Sequence, residues 1–272
     1  MGTGSAKIIE EMDLPGQQNI YSDSIEGRRI IVTGAAGGIG AGVTAGLAKR
    51  GAKLGAIFLK TPPSAELEGA ALWKACDLTD KNSVDDCFQS LATELGGLDA
   101  LINVAGLWRG GPADMVDDAQ IDFLIGANLK TAIFTNQAAF ALMKENGGRI
   151  VNFGSVEGVD GNVESPAYAA AKAAVHGWTR SAARSWARYG ITVNCLAPAM
   201  HTPVYDRIRA SMSPEQLEQH DAEMRMRIPI GGRLGNPEID CTPMLAFLAS
   251  QNSHFVTGQL LAVDGGLRMM GA

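Results

Sequence analysis

Hydrophobic residues fall into two alternating patterns from residue 28 onward. Short apolar runs, typical of buried strands, alternate with longer stretches in which apolar residues recur every three or four positions, as on one face of a helix. The runs that predict strands are residues 29–33, 52–59, 73–77, 100–104, 149–153, 191–196 and 258–263. The helical patterns cover residues 39–50, 82–95, 118–144, 165–189 and 236–250, with a further helix that starts at Ser213.

This alternation predicts an α/β fold with a single Rossmann-like, doubly wound domain. Strands that alternate with helices indicate βαβ units, and these build a parallel sheet, here of about seven strands, with helices on both faces. No change in composition divides the chain after residue 28, so we predict one domain over residues 28–272. Residues 1–27 lack periodicity and contain Pro15 and Gly16, so we expect an N-terminal arm on the surface or at a subunit contact.

Composition and charge exclude several classes of protein. Of the 272 residues, 46% are hydrophobic and 19% are charged, which is typical of a globular chain. The net charge of −6 and the lack of a basic run argue against nucleic-acid binding. No apolar stretch approaches the ~18 residues of a membrane span and no signal peptide is visible, so we predict a cytoplasmic protein without membrane contact. The four scattered cysteines are expected to be reduced and buried, and no metal site is predicted.

Glycine is unusually frequent. It occupies 33 of the 272 positions, which is well above the usual share of about 7% of residues. The segment Thr33-Gly-Ala-Ala-Gly-Gly-Ile-Gly40 lies between the first predicted strand and the first predicted helix. There, Gly34 allows a tight turn, Gly38 lets backbone N–H groups approach a pyrophosphate, and Gly40 lets the helix pack closely. The helix N-terminus then presents unpaired N–H groups to the phosphates. The alternative is a glycine-rich turn without a ligand.

This loop resembles the T-G-x-x-x-G-x-G signature of the short-chain dehydrogenases/reductases. The resemblance covers about residues 28–268 and implies a nicotinamide-dependent oxidoreductase that acts on a small alcohol or ketone, in a homo-oligomer that is commonly a tetramer. The last helix and the segment from Val263 to Met270 are then candidate subunit contacts. Further motifs that carry the resemblance, in chain order, are Asn103-Val-Ala-Gly106, Asn128, Ser155, Tyr168-Ala-Ala-Ala-Lys172, Asn194 to Pro198 and Val263-Asp-Gly-Gly266.

The candidate catalytic residues are Asn128, Ser155, Tyr168 and Lys172. Tyr168 and Lys172 are four positions apart in a predicted helix and share one face, where an ammonium would lower the pKa of a phenol that ordinarily titrates near 10. The resemblance implies that Ser155 orients the substrate oxygen, Tyr168 exchanges the proton, Lys172 also binds the nicotinamide ribose, and Asn128 holds a water-linked relay. The alternatives are a solvated Tyr–Lys pair, a serine in a cap or turn, and an asparagine bonded to helix backbone.

The resemblance also implies a set of cofactor contacts. Asp77, after the third strand, would take the adenine amino group, unless it caps the next turn instead. Asn103, Ala105 and Gly106 would line the ribose side, and Thr202 would contact the carboxamide. The whole set is Gly34, Gly38, Ile39, Gly40, Asp77, Leu78, Asn103, Ala105, Gly106, Tyr168, Lys172, Pro198 and Thr202.

The choice between NAD(H) and NADP(H) depends on the end of the second strand. Phe58 stands where an NAD enzyme of this family usually has aspartate, and neither Gly37 nor Leu59 is basic. Lys60 is the only nearby cation. These residues favour NAD by a narrow margin.

The segment 199–230 is a candidate substrate loop. Long connections at this place are often lids, and this one contains Met200, Met212, Met224 and Met226, which either pack on varied ligands or face the core. Thr202 comes one residue earlier than the family pattern, and the neighbouring His201 could face substrate or lie on the surface. Position alone suggests further pocket residues at Trp108, Arg109, Val156, Glu157 and Tyr205.

Three hypotheses of function follow. The leading one is interconversion of a secondary alcohol and a ketone by hydride transfer, with Tyr168 as general acid/base. The second is a 3-oxoacyl-thioester reductase on the same scaffold. The third is a dinucleotide-binding subunit without turnover, which would have no need of Asn128, Ser155, Tyr168 and Lys172 together.

Overall fold

The computed structural model describes residues 24–270. Its strands are β1 Arg29–Thr33, β2 Lys53–Phe58, β3 Leu72–Ala75, β4 Ala100–Asn103, β5 Gly148–Phe153, β6 Ile191–Pro198 and β7 Leu260–Val263. They form one sheet in the order β3-β2-β1-β4-β5-β6-β7, and every neighbouring pair is parallel. The predicted fold class is therefore confirmed.

Helices cover both faces of the sheet. They are α1 Gly38–Ala48, α2 Lys81–Leu95, α3 Asp118–Leu124, α4 Thr131–Met143, α5 Glu157–Asp160, α6 Pro166–Trp186, α7 Pro203–Ala210, α8 Pro214–Arg227 and α9 Thr242–Ala249. Within residues 24–270, none of these helices combines the length and hydropathy that crossing a bilayer requires.

The alternation of side chains along β1 shows how the two cores form. Ile30 and Val32 belong to the apolar cluster that includes α1 and α9, whereas Ile31 belongs to the cluster that includes α2, α4 and α6. All three side chains are fully buried. Successive residues of a strand point to opposite faces, so a wholly apolar strand such as β1 requires helices on both sides.

Several predicted boundaries differ in the structure. The single helix expected over residues 118–144 is divided by a π-helical turn, Ile125–Lys130. The sequence pattern did not predict this turn, because an inserted turn of this kind leaves the apolar spacing nearly unchanged. The segment 199–230 contains α7, which was not predicted, although Thr202 caps it and Pro203 occupies its first turn. The capping box predicted at Ser213 is present.

The last residues of the predicted arm contact the domain. Ile25 is 2% exposed and lies in the core, and the backbone N–H of Gly27 donates to the carbonyl of Gly51 at 2.8 Å. Residues 24–27 therefore pack on the domain, because burying Ile25 removes apolar surface from water. The rest of the predicted arm, residues 1–23, lies outside the described residues.

Gly55 in β2 allows close packing of a helix on the sheet. A Cβ atom there would lie 3.2 Å from both δ carbons of Leu91 and 3.3 Å from one of Leu95. Glycine weakens an isolated strand, but here it gives α2 room to approach.

We expect Gly40→Ala to destabilise the protein. A Cβ atom at Gly40 would lie 2.0 Å from the carbonyl oxygen of Gly34, so the loop would have to move. Overpacking of this kind costs about 1–3 kcal/mol. Gly177→Ala is the matched control, because an added Cβ there has no neighbour within 4 Å and alanine is favoured in a helix by about 1 kcal/mol. Urea unfolding measures both, and equal midpoints for the two variants would contradict the close contact.

Candidate active site

The candidate residues meet where the central strands end. Strand order reverses between β1 and β4, the position at which doubly wound sheets open a crevice at their carboxyl ends. Gly34 follows β1, Val104 follows β4, Gly154 follows β5 and Ala199 follows β6. Parallel strands bring these four positions to the same edge of the sheet.

The glycine loop leaves backbone N–H groups available to bind an anion. Gly34 and Gly38 have φ angles of 62° and 54°, a region that favours glycine. A Cβ atom at Gly38 would have no neighbour within 4 Å, so the backbone is open there. The N-cap residue of α1, Gly37, makes no side-chain cap, which leaves the first N–H groups, including that of Ile39, without a side-chain partner. These features fit the diphosphate of a dinucleotide.

The Asn103 side chain is hydrogen-bonded within the sheet. Its side chain is 2% exposed, and its Oδ1 accepts from the Thr33 hydroxyl at 2.7 Å. Its Nδ2 donates to Asn152 Oδ1 at 3.3 Å, while the Ala105 N–H donates to the Thr33 hydroxyl at 3.1 Å. Buried amides must be paired, so this side chain joins β1, β4 and β5 together, and its contact with the ribose stays a prediction.

Asp77 and Leu78 follow β3. The Asp77 carboxylate accepts from the N–H and the hydroxyl of Thr79 at 2.9 and 2.7 Å, and these hydrogen bonds lower its pKa. The N-cap of α2 is Asp80, whose Oδ1 accepts from the Ser83 N–H at 2.7 Å. Asp77 is exposed and ionised, and the adenine contact stays a prediction.

Ser155 and Tyr168 come together after β5. The Tyr168 side chain is hydrogen-bonded to Ser155, and the Ser155 hydroxyl also accepts from the Glu157 N–H at 3.1 Å. Tyr168 lies in the first turn of α6, where Pro166 begins the helix. A serine hydroxyl and a phenol in contact form a pair of donors and acceptors that can hold one carbonyl or alcohol oxygen between them.

Lys172 and Asn128 are buried beside this pair. The Lys172 ammonium donates to the Phe153 carbonyl at 2.8 Å and lies 5.7 Å from the centre of the Tyr168 ring. A Cβ atom on Gly106 would lie 2.7 Å from Asn128 Oδ1 and 3.1 Å from Lys172 Nζ, so only glycine fits there. The four predicted catalytic side chains therefore share one site.

Asn128 holds its place through the π-helical turn. Its Nδ2 donates to the carbonyls of Leu107 and Leu124 at 2.9 and 3.0 Å. Its buried Oδ1 accepts no hydrogen bond from any residue in 24–270. A buried oxygen without a hydrogen-bond donor destabilises a protein, so a bound water that donates to Asn128 Oδ1 would be favourable. A proton relay needs such a water.

The electrostatics of Tyr168 differ from the expectation. Burial, followed by repulsion from the Glu157 carboxylate, raises the pKa of Tyr168 to about 12, although its hydrogen bond with Ser155 opposes this. Burial also lowers the pKa of Lys172 to about 8. The pKa of Tyr168 is therefore raised here rather than lowered as expected, because excluding water disfavours the charged forms of both side chains.

The sequence reasoning missed His176. Its Nε2 accepts from the Ser155 N–H at 3.4 Å, and a Cβ atom on Gly154 would lie only 2.3 Å from it. Burial is the main cause that lowers the pKa of His176 to about 4, so the ring is neutral and can accept this bond. A signal existed, because residues 168, 172 and 176 repeat every four positions along one face of α6.

The predicted substrate loop borders a cleft of about 880 Å³. Thr202 lines it, and its hydroxyl accepts from the Tyr205 N–H at 3.3 Å, which leaves the hydroxyl proton available to a ligand. His201 is bonded to Asp206 at 2.6 Å. Met200 is buried in the core, whereas Met224 lines the cleft.

The pocket residues suggested by position alone differ in their exposure and in their contacts. Trp108 is 53% exposed, and the Arg109 guanidinium lies 4.2 Å from the centre of the Phe123 ring. The Tyr205 hydroxyl lies 2.7 Å from His220 Nε2. Val156 is half-buried, and Glu157 contacts the catalytic residues as described above.

Comparison with known proteins gives consistent matches along nearly the whole chain. The family model described as enoyl-(acyl carrier protein) reductase matches residues 34–268. The chain is 35% identical to 2-dehydro-3-deoxy-D-gluconate 5-dehydrogenase of Escherichia coli K12, over 89% of this chain and 96% of that protein. It is 34% identical to the 3-oxoacyl-[acyl-carrier-protein] reductase FabG of Vibrio cholerae, over 91% of this chain and all of that protein.

Solved structures agree with these relatives. A short-chain alcohol dehydrogenase, so described, from Sinorhizobium meliloti 1021 superposes with a TM-score of 0.79 at 32% identity, over 90% of this chain and 98% of that one. Levodione reductase gives a TM-score of 0.79 at 28% identity, over 89% of this chain and 98% of its own.

Proposed function

Because this chain belongs to the short-chain dehydrogenase/reductase family, a family of enzymes that act on alcohol and keto groups, we propose that it interconverts a secondary alcohol and a ketone with NAD(H) or NADP(H). The observation that carries the proposal is the contact of Ser155 with a half-buried Tyr168 beside Lys172, next to a glycine loop that can bind an anion. Gly38, Ile39, Thr202 and exposed backbone after β4 would hold the cofactor.

The residues of this site have distinct proposed roles. A bound oxidised nicotinamide dinucleotide would supply the hydride acceptor and a positive charge close to the phenol. Ser155 orients the substrate oxygen, and Tyr168 removes its proton during oxidation or returns it during reduction. The Lys172 ammonium, whose Nζ lies 5.7 Å from the centre of the Tyr168 ring, stabilises the phenolate. Asn128 Oδ1 holds a water that passes the proton onward.

Nicotinamide absorbance with a panel of secondary alcohols and ketones, and with each dinucleotide, tests this function. Turnover of at least one alcohol–ketone pair is expected. A protein that binds neither dinucleotide, or that binds one and turns over no alcohol or ketone, would contradict the proposal.

The expectation of NAD over NADP is not supported. Phe58 packs beside Trp73, with ring centres 6.4 Å apart, and Leu59 is 54% exposed. No carboxylate stands at the end of β2 to repel a ribose phosphate, and the exposed Lys60 is compatible with one. We therefore propose a nicotinamide dinucleotide cofactor without a preference between the two forms.

Phe58→Asp is expected to make the enzyme prefer NAD. A carboxylate at the end of β2 would accept hydrogen bonds from the ribose hydroxyls of NAD and repel the 2′-phosphate of NADP. We expect kcat/KM with NADP to fall at least about tenfold relative to NAD, which corresponds to about 1.4 kcal/mol. Phe58→Asn is the matched uncharged control. An unchanged ratio of the two kcat/KM values would show that Phe58 does not face the ribose.

A 3-oxoacyl-thioester reductase is the second candidate. The similarity to FabG over its full length favours it, whereas the net charge of −6 gives little attraction for an acidic carrier protein. A free acetoacetyl thioester, compared with small cyclic ketones, separates the two candidates by kcat/KM. The non-catalytic alternative is disfavoured, because the four catalytic candidates share one site. Tetramer formation and cytoplasmic location stay predictions.

A further inference from the structure

Glu157 places a fixed negative charge beside the reacting groups. Its backbone N–H donates to the Ser155 hydroxyl at 3.1 Å, so its position is tied to that of the catalytic serine. Its carboxylate is close enough to Tyr168 to raise the pKa of the phenol. The charge therefore opposes the phenolate on which the proposed proton transfer depends.

The carboxylate is held in place by Ser165. The Ser165 hydroxyl donates to Glu157 Oε2, and Ser165 is fully buried. Ser165 is the N-cap residue of α6, yet its side chain makes no cap hydrogen bond to the helix. A serine at this position ordinarily caps the helix and stabilises it. Here the hydroxyl orients a carboxylate instead.

The remaining hydrogen-bonding capacity of Glu157 is unused by the protein. Within residues 24–270, Oε1 accepts no hydrogen bond from a side chain or backbone group, and Glu157 is in no ion pair. The basic residue that reaches α5, Arg268, pairs with Asp160 at the far end of that helix, at 3.0 Å. Glu157 is half-buried, so part of the residue stays accessible to a ligand.

We propose that Glu157 is a specificity-determining residue that binds a hydrogen-bond donor on the substrate, a hydroxyl or ammonium group on the carbon next to the one that reacts. A carboxylate that hinders the catalytic tyrosine and is nevertheless fixed in place indicates a role in binding. Its charge favours substrates with such a donor and disfavours substrates with a carboxylate at the same position. This inference rests on the proposed alcohol–ketone activity.

Four matched substrates test the inference: cyclohexanol, its vicinal diol, its vicinal amino alcohol and the corresponding hydroxy carboxylate. In the wild-type enzyme we expect kcat/KM for the diol and the amino alcohol to exceed that for cyclohexanol at least about tenfold, with the hydroxy carboxylate lowest. Glu157→Gln keeps an acceptor for Ser165 but removes the charge. In this variant, kcat/KM for the diol and for the amino alcohol should each come within about threefold of the value for cyclohexanol, mainly because their KM values rise. The amino alcohol should lose more of its kcat/KM than the diol.

Asp160→Asn is the matched control, because it removes one carboxylate from the same helix at a position paired with Arg268. It should leave the order of the four substrates unchanged. An equal change for all four substrates in Glu157→Gln would indicate a purely structural residue and overturn the inference. A wild-type enzyme that turns over alcohols without preferring donors would also overturn it and leave the proposed function intact. Failure with every alcohol and ketone would refute the proposed function itself.

Discussion

Tyr168→Phe is expected to fold normally, bind dinucleotide and lose about 10²–10⁴-fold in kcat, the range that a general acid/base contributes. The variant removes only the phenolic oxygen and keeps the ring that lies 5.7 Å from the Lys172 ammonium. The lost hydrogen bond to Ser155 leaves that hydroxyl with the Glu157 N–H as a partner, so the effect on stability should be small.

Steady-state kinetics with the best alcohol–ketone pair, together with dinucleotide titration of the same variant, measure this effect. Tyr189→Phe is the matched control, because it removes a phenolic oxygen from the end of the same helical region, away from the strand edge. The control should keep normal kcat. Near-normal turnover in Tyr168→Phe, or equal losses in the two variants, would remove Tyr168 from the mechanism.

Much of this site follows from local rules that act within short stretches of sequence. The turn after β1 needs positive φ angles, and glycine at positions 34 and 38 is the chemical signature of that need. Tyr168 and Lys172 fall on one helix face because of their spacing. The strand order brings them to the glycine loop, and it is one of the few orders that βαβ alternation allows.

What the sequence could not predict depends on contacts between distant segments. Asn103 follows the expected motif, but its side-chain partners Thr33 and Asn152 come from neighbouring strands, and spacing along the chain does not reveal them. The π-helical turn that positions Asn128 adds one residue to a helical turn, and apolar periodicity is too coarse to detect it. The pairing of Ser165 with Glu157 is likewise invisible, because a serine before Pro166 predicts a helix cap.

Burial is the main cause of the pKa shifts of both Tyr168 and Lys172. Burial raises the pKa of Tyr168 to about 12 and lowers that of Lys172 to about 8, so exclusion of water makes both charged forms less favourable. A phenolate and an ammonium stabilise one another when both are present. Removing the ammonium should therefore impair the proton transfer, and we expect Lys172→Met to lower kcat by at least about 10²-fold.

The stability of Lys172→Met relative to wild type should also depend on pH. The pKa of Lys172 is about 8 in the folded state and near 10.4 in the unfolded state. Below about pH 8, wild type therefore buries a charged lysine, which lowers its free energy of unfolding. This destabilisation disappears as the pH rises through the unfolded-state pKa. The unfolded chain binds more protons in this window, so wild type should gain stability over Lys172→Met, on the order of 3 kcal/mol in total. Urea unfolding of both proteins from about pH 7 to about pH 10 measures the difference, in which other titrating groups largely cancel. Lys144→Met, at an exposed position, should show no such trend. A difference between wild type and Lys172→Met that stays flat or falls with pH would mean that Lys172 is not buried as an ammonium.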